Sequence, residues 1–433
     1  MHTQTQLYFK VHEMNDTNII LTLTIGLSII TASKYLLYIL TSPFYRLNKS
    51  KYLKKSKELT TKQIEDRIKI SVVIPAWNEE VGVVDTVKSV LASNYNNLEV
   101  IVVDDGSTDS TFKKVDQFYK NERQLYLTPG KELKYFTKQN GGKGSALNFG
   151  IHQSSGNIVV TMDADTVFEK DALSVVARFF VDKRVDAAVG NVKVANAKSI
   201  IGIIQQIEYT VGFYFKRVHS VFNSEYIIGG AFGAFRRDIF DKHGFFDEHN
   251  KTEDIELSTR LQAEGATIVF MEDAIAYTEG PSNVKDLAKQ RLRWKKGRLD
   301  TFIKHRGLFF SRQKIHSKFL THYLLPITLF YEIELLIEPL LTLFGVYYIY
   351  TTHDFRALIL WILFTGGINA FAFLFGSRKN SKVAFAFLPL YFLLSYVLTA
   401  IEVYAMYMSL KLLFSKKDVT WQKWNRKGVG VIS

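Results

Sequence analysis

"LEVIVVDDGSTD", Leu98 to Asp109, carries an unbroken apolar and β-branched run into two carboxylates and then into residues that favour a turn. A short apolar run without alternation is how a strand buried on both faces reads, and such strands belong to sheets covered by helices. Gly106, Ser107 and Asp109 suit the turn or helix cap that would follow. The same grammar repeats nearby. "KISVVIPA" (Lys69–Ala76), "KYFTK" (Lys134–Lys138) and "NIVVTMDAD" (Asn157–Asp165) are further strand-like runs, spaced by helix-length segments such as "VGVVDTVKSVLAS" (Val81–Ser93) and "KGSALNFGIHQ" (Lys143–Gln153). The alternation predicts βαβ units and a mostly parallel, Rossmann-like α/β sheet over residues 69–298. Ligands bind such sheets at the carboxyl ends of the strands. Asp104, Asp105, Asp163 and Asp165 fall at those ends.

The flanks read differently. The 433 residues are 47% hydrophobic, and the excess lies outside the predicted sheet. "NIILTLTIGLSIITASKYLLYIL" (Asn18–Leu40) carries one charge, and the chain from about Phe319 is mostly Leu, Phe, Ile, Tyr and Ala. Apolar runs of about 20 residues can cross a bilayer. We therefore expect an uncleaved N-terminal anchor over residues 1–45, with its transmembrane helix at about 18–40. "RLNKSKYLKKSK" (Arg46–Lys57) follows with six basic residues and no acid. It marks residues 46–68 as a basic juxtamembrane segment on the cytoplasmic side, in contact with anionic lipid. The net charge of +13 is explained by a membrane edge and calls for no nucleic acid. The chain has no cysteine, which removes disulfide, zinc–thiolate and thiol-nucleophile chemistry.

Residues 299–323 read as an interfacial amphipathic segment. Residues 324–414 read as a transmembrane domain of about three spans, at Leu324–Tyr350, Ala357–Gly376 and Val383–Phe414. Three spans would leave the basic tail, residues 415–433, outside, whereas its charge prefers the cytoplasm. Either one stretch fails to span or one hides two crossings. Glu332, Glu334 and Glu338 make the first the suspect, since a mid-membrane charge costs about 2.5–3.5 kcal/mol unless it faces a polar conduit.

Four polar motifs carry chemistry. In "MDADT", Asp163 and Asp165 stand two apart in extended chain and point the same way, offering hard oxygen ligands to Mg2+ or Mn2+. "NGGKGSALN" (Asn140–Asn148) sets Lys143 among glycines at a helix start, where backbone can approach a phosphate. "KTEDIELSTRL" (Lys251–Leu261) puts Glu253 and Asp254 in the first turn of a helix, a position that the helix dipole alone would favour. "KQRLRWKKGR" (Lys289–Arg298) has the charge of a juxtamembrane helix, which leaves Gln290, Arg293 and Trp294 unexplained.

Taken in order, "VVIPAWNEE", "VVDDGSTD", "NGGKGSALN", "MDADT", "GGAFGAFR", "TEDIELSTRL" and "QRLRW" resemble the membrane-bound, processive family 2 glycosyltransferases, which include the poly-N-acetylglucosamine, chitin, hyaluronan and cellulose synthases. The resemblance covers Ser71 to Trp294. It implies a GT-A catalytic domain facing the cytoplasm of the cell membrane and a membrane channel that exports the growing polymer. It also implies roles. Asp105 would hold the uridine, and the backbone around Pro75 to Glu79, Asn78 included, would frame the base. Asp163 and Asp165 would bind metal and UDP diphosphate, with Lys143 beside them. Asp254, next to Glu253, would be the general base. Gln290, Arg293 and Trp294 would lie under the acceptor end of the glycan, and Trp421 to Gly428 faintly resembles a tryptophan-containing tail motif placed near the active site in hyaluronan synthases. The expected partners are a UDP-sugar, the growing polysaccharide and the bilayer, with room for an accessory membrane subunit. The resemblance favours UDP-N-acetylglucosamine as donor for a β-linked polymer; Lys295 and Lys296 depart from the W-A-Q-G-G of poly-N-acetylglucosamine synthases here, which keeps a hyaluronan- or cellulose-type synthase with another donor as an alternative. A non-processive transferase adding one sugar to a lipid is the other alternative.

Overall fold

The computed structural model describes residues 2–196, 199–376, 381–415, 417, 419 and 426–429. Eight strands form one sheet: β1 (Ile70–Ala76), β2 (Leu98–Asp104), β3 (Lys131–Thr137), β4 (Ile158–Thr161), β5 (Thr166–Phe168), β6 (Ala187–Val194), β7 (Gly233–Arg236) and β8 (Ile268–Thr278). Their order is β3-β2-β1-β4-β7-β6-β8-β5. The half containing β3, β2, β1 and β4 is parallel, and each strand falls where the sequence predicts one. The other half is mixed, because β7 runs antiparallel to β4 and β6, and β5 antiparallel to β8. The sheet is thus less parallel than the sequence implies. The departure comes from β5 and β7, which are too short to carry a periodic signal.

β1 and β2 are buried along their whole length, as their unbroken apolar runs require. Helices Val83–Leu91 and Ala172–Phe180 cover one face through Val83, Val87, Leu173 and Val176, while Leu147 and Ile151 of helix Lys143–His152 cover the other. Burial at about 25 cal/mol per Å² of apolar surface makes this layering the main source of stability. One buried acid crosses it. Glu99 of β2 accepts hydrogen bonds from Ser71 Oγ, Ser155 N and Lys134 Nζ. Burial alone would raise its pKa, but these partners hold it at about 2.

The N-terminal helix runs without a break from His2 to Thr41 and is continued by helix Tyr45–Leu53. Tyr45 pins this entry to the sheet by donating from its hydroxyl to Phe270 O at 2.7 Å. Among the described residues, Leu21–Leu53, Arg356–Phe375 and Leu388–Phe414 are three helical stretches long and apolar enough to cross a membrane. The expected span at Leu324–Tyr350 is instead two pieces, Leu325–Glu334 and Glu338–Thr352. Pro339 stands at the start of the second. Its ring crowds the preceding turn and it lacks an N–H, so the helix ends and restarts. Even with the π-helical turn Leu320–Leu324 that runs straight into the first, neither piece reaches the ~20 residues that a span needs.

The expected boundary at residue 298 also moves. The helix bearing "QRLRW" runs unbroken from Val284 to Lys304, past the predicted end of the catalytic domain. Beyond it, Leu308 and Leu320 are buried against Tyr226 and Phe302 instead of lying free as an interfacial helix.

Candidate active site

The carboxyl ends of the parallel strands open into a cavity of about 1260 Å³. Pro75, Trp77, Glu79, Asp105, Lys143, Asp163, Asp165, Glu253, Asp254, Gln290, Arg293 and Trp294 all line it, so the acidic strand ends and the "QRLRW" helix, distant in sequence, share one space.

Asn78 is the exception among the predicted site residues. Its backbone is left-handed, at φ 55°. Its side-chain oxygen accepts from Thr108 N (2.7 Å) and Asp109 N (3.2 Å), while Ser107 Oγ accepts from its own N–H. Asn78 therefore fastens the loop after β1 to the loop after β2 and does not line the cavity. Asp105 lines it but is heavily engaged. Its carboxylate accepts from Lys138 Nζ (2.8 Å), Gly141 N (3.1 Å) and Gly142 N (2.7 Å). Gly142 has φ +90°, a conformation that costs a side-chain-bearing residue but not glycine, and this turns both amides toward the carboxylate.

Lys143, the first residue of its helix, is the hub. Its ammonium lies 2.6 Å from Asp163 Oδ1 and 3.2 Å from Glu253 Oε1. Burial would lower its pKa, but Asp163, Glu253 and Asp254 together push it well above the ordinary lysine value. The acids around it are driven apart. For Asp163 burial opposes ionisation, yet Lys143, Arg293 and Arg426 prevail and hold its pKa down. For Asp165 burial wins, helped by Asp163 and Glu279, and raises it against Arg426. Glu253 is raised by burial and by Asp254, against Lys143. Asp254 is held by backbone, its Oδ2 accepting from Gly230 N (2.7 Å) and its Oδ1 from Ile255 N (2.9 Å). Gln290 is buried, and its side-chain oxygen has no hydrogen-bond partner among the described residues. A buried acceptor left unpaired is costly unless a ligand completes it.

Two acids do not make a cation cage. Among the described residues there is no cluster of three or more His, Cys, Asp or Glu that could hold a metal ion. Asp163 and Asp165 still fit Mg2+ or Mn2+, which are commonly held by one or two carboxylates with substrate phosphates completing the shell.

The sequence singles out Trp421 to Gly428 by resemblance, but not the contacts that Arg426 within it makes. Arg426 Nη1 lies 2.5 Å from Asp165 Oδ2 and its Nη2 3.2 Å from Glu79 Oε1. The backbone N–H groups of Lys427 and Gly428 donate to Glu279 at 2.7 and 2.9 Å. The tail's charge is legible, but its landing point on acids far up the chain is not. Of the Trp421–Gly428 stretch, Trp421 to Asn425 lie outside the described residues. Arg426 contacts the catalytic domain, and Arg356–Phe375 and Leu388–Phe414, two helices long and apolar enough to cross a membrane, precede it in the chain.

Of the three acids expected to line a polar path, Glu338 lines the cavity and Glu332 does not. Glu332 is buried against Lys295 (2.6 Å) and Arg298 (2.5 Å).

The sequence pattern of the family described as Glycosyl transferase family 2 matches residues 71–244, and that of Glycosyl transferase family group 2 matches residues 158–407, more than half of the chain. The chain belongs to glycosyltransferase family 2. This transferase is 30% identical over 275 residues to the poly-beta-1,6-N-acetyl-D-glucosamine synthase of Staphylococcus aureus (strain COL), and 33% identical over 270 residues to that of Staphylococcus epidermidis. It spans 63% and 61% of the length of those two relatives. Its fold matches a mannosyltransferase from Pyrobaculum calidifontis solved in complex with GDP-Man and Mn2+, over 88% of this chain and 99% of that one, with TM-score 0.51 and 19% identity. That likeness extends to the GT-A fold of the transferase and not to its substrate.

Proposed function

We propose that the chain is a processive, inverting glycosyltransferase that polymerises N-acetylglucosamine from UDP-N-acetylglucosamine into a β-linked polysaccharide and passes it through the membrane. One observation carries the reading. The cavity that begins at Pro75 and Asp105 continues without interruption past Trp294 to Trp361, Asn369, Tyr391 and Tyr396 on the membrane helices. A polar and aromatic passage joined to a donor pocket suits a glycan that stays bound between additions. The named relatives favour the donor.

The chemistry follows from the residues. Asp254, fixed by Gly230 N and Ile255 N, takes the proton of the acceptor hydroxyl as that oxygen attacks the anomeric carbon and the bond to UDP breaks. A bound Mg2+ or Mn2+, held by Asp163 and Asp165, would offset the charge of the departing diphosphate. Lys143 and Arg293 add cationic charge beside it. Trp294 stacks the terminal sugar, and the unpaired Gln290 oxygen accepts from one of its hydroxyls. Placing the catalytic domain in the cytoplasm of a cell-membrane protein fits the basic Arg46–Lys57 segment and the return of Arg426 to that domain's side.

The test is to incubate detergent-solubilised protein with a panel of UDP-sugars and Mg2+ or Mn2+, then size the product and digest it with linkage-specific hydrolases. Long product from the first minutes with UDP-N-acetylglucosamine alone is expected. Single-sugar adducts would reject processivity, and an absolute need for a second donor would reject the homopolymer.

A further inference from the structure

The Val284–Lys304 helix has two working faces. Gln290, Arg293 and Trp294 look into the cavity. Gly297 continues that face, packed so closely on the start of helix Glu253–Ala263 that a Cβ there would lie 2.0 Å from Thr252 Oγ1. Arg291, Lys295 and Arg298, spaced i, i+4 and i+7, form a second stripe along the same helix, of which Arg291 and Arg298 also border the cavity. All three are paired across to other elements. Arg291 donates to Glu208 through both terminal nitrogens, at 2.7 and 2.6 Å, and lies 3.3 Å from Glu402. Lys295 joins Glu402 (3.0 Å) to Glu332 (2.6 Å), and Arg298 closes on Glu332. Glu402 belongs to helix Leu388–Phe414 and Glu332 to helix Leu325–Glu334. Leu287 packs beside this network on Leu398 and Ile401 of the same long helix.

One contact ties this stripe to the cavity face. The Arg291 guanidinium sits over the Trp294 ring, 4.6 Å from its centroid. A guanidinium at that distance is attracted to the indole face and occupies it. We propose that Arg291 is a positioning residue for the acceptor site. It covers one face of Trp294, leaves the other for the sugar, and is itself held by the Glu208 fork and, from the last membrane helix, by Glu402, so that helix shares in fixing the pose of the acceptor platform. The idea rests on Trp294 serving the acceptor, and the chemistry it needs is only that of ion pairs and stacking. It also accounts for Lys295, which departs from the family pattern. Lys295 shares Glu402 with Arg291 and keeps three cations matched to three carboxylates.

The test uses the full-length protein labelled with 5-fluorotryptophan, with the Trp294 resonance assigned from Trp294→Phe. Glu402→Gln removes the charge at constant shape, Glu402→Asp keeps it, and Arg291→Lys keeps the cation but loses the planar fork. In Glu402→Gln and Arg291→Lys the Trp294 resonance should shift while the other tryptophans stay put. Product should shorten by about threefold or more, the KM for UDP-N-acetylglucosamine should stay within about twofold, and Glu402→Asp should recover most of the length. An unmoved Trp294 resonance in well-folded Glu402→Gln and Arg291→Lys would overturn the proposal. So would a donor KM that rises as much as product length falls, since that marks general damage. A shifted resonance with normal product length would instead remove Trp294 from the acceptor site, a failure of the functional reading distinguishable from a failure of the ion link. Where Glu402→Gln does not fold, Arg291→Lys carries the same comparison alone.

Discussion

At the strand ends, Glu79, Asp163, Asp165, Glu253, Asp254 and Glu279 gather around Lys143, Arg293 and Arg426. On the far stripe of the Val284–Lys304 helix, Arg291, Lys295 and Arg298 meet Glu208, Glu332 and Glu402 one for one. Both clusters are rich in buried charge, and they differ in balance. The first has carboxylates in excess and faces a cavity, so it holds a place for added positive charge. The second is neutral, three cations matched by three carboxylates, so its charges answer one another even where Glu208, Arg291 and Arg298 border the same cavity. Burying an ion pair is seldom a net gain over apolar packing, but removing one partner is costly. A balanced buried cluster therefore specifies geometry, and an unbalanced one bordering a cavity specifies a ligand.

The largest expected effect falls in the unbalanced cluster. Asp254→Asn keeps the shape and loses the proton acceptor, so turnover should fall by about 10²–10⁴-fold with the melting temperature nearly unchanged. Residual turnover above about a tenth would take the base elsewhere, with Glu253 next in line. Asp163→Asn and Asp165→Asn should weaken Mn2+-dependent UDP binding by about tenfold or more, the worth of one charge-assisted contact, as read by calorimetry. Equal affinity in both variants would remove the cation from this cluster and with it the contrast drawn above.

A third expectation concerns a balanced acid inside the sheet. Glu99→Gln should cost about 1–3 kcal/mol through its unpaired neighbours. Because the native pKa of Glu99 is held near 2 instead of 4.5, its stabilisation is complete above pH 4.5 and is lost as the pH falls toward 2. The melting temperature of the wild type should drop toward that of Glu99→Gln across that window. Parallel curves would mean that Glu99 is not ionised in the fold. The mildest changes report only topology. Cysteines placed singly at Lys57, Thr108 and Ser415 of this cysteine-free chain should all escape a membrane-impermeant thiol reagent on intact cells. Labelling at Lys57 or Thr108 would reverse the orientation, and labelling at Ser415 would demand an odd number of C-terminal crossings.

What could be read in the sequence was local. Asp163 and Asp165 were legible because an apolar strand ended at them, and Lys143 because glycines preceded it at a helix start. Glu332 was misplaced for a physical reason. Its partners Lys295 and Arg298 lie on another helix, and an acid in an apolar stretch looks the same whether it faces a channel or a cation. Asn78 looked like a ligand because it sat in the motif, while its left-handed backbone, the feature that turns it toward Thr108, has no signature in one sequence. The antiparallel half of the sheet was hidden in strands as short as "TVF", which carry no periodicity. Arg426 on Asp165 depends on a fold-back across most of the chain, which only tertiary structure supplies.

That fold-back also sets an order of events. Arg426, Lys427 and Gly428 leave the ribosome after Arg356–Phe375 and Leu388–Phe414, and they supply the last wall of the donor pocket through Asp165, Glu79 and Glu279. A nascent chain arrested before them would present its acids without that wall. The pocket becomes whole only when both long apolar helices have already been made, so no donor site is complete on a chain that lacks them.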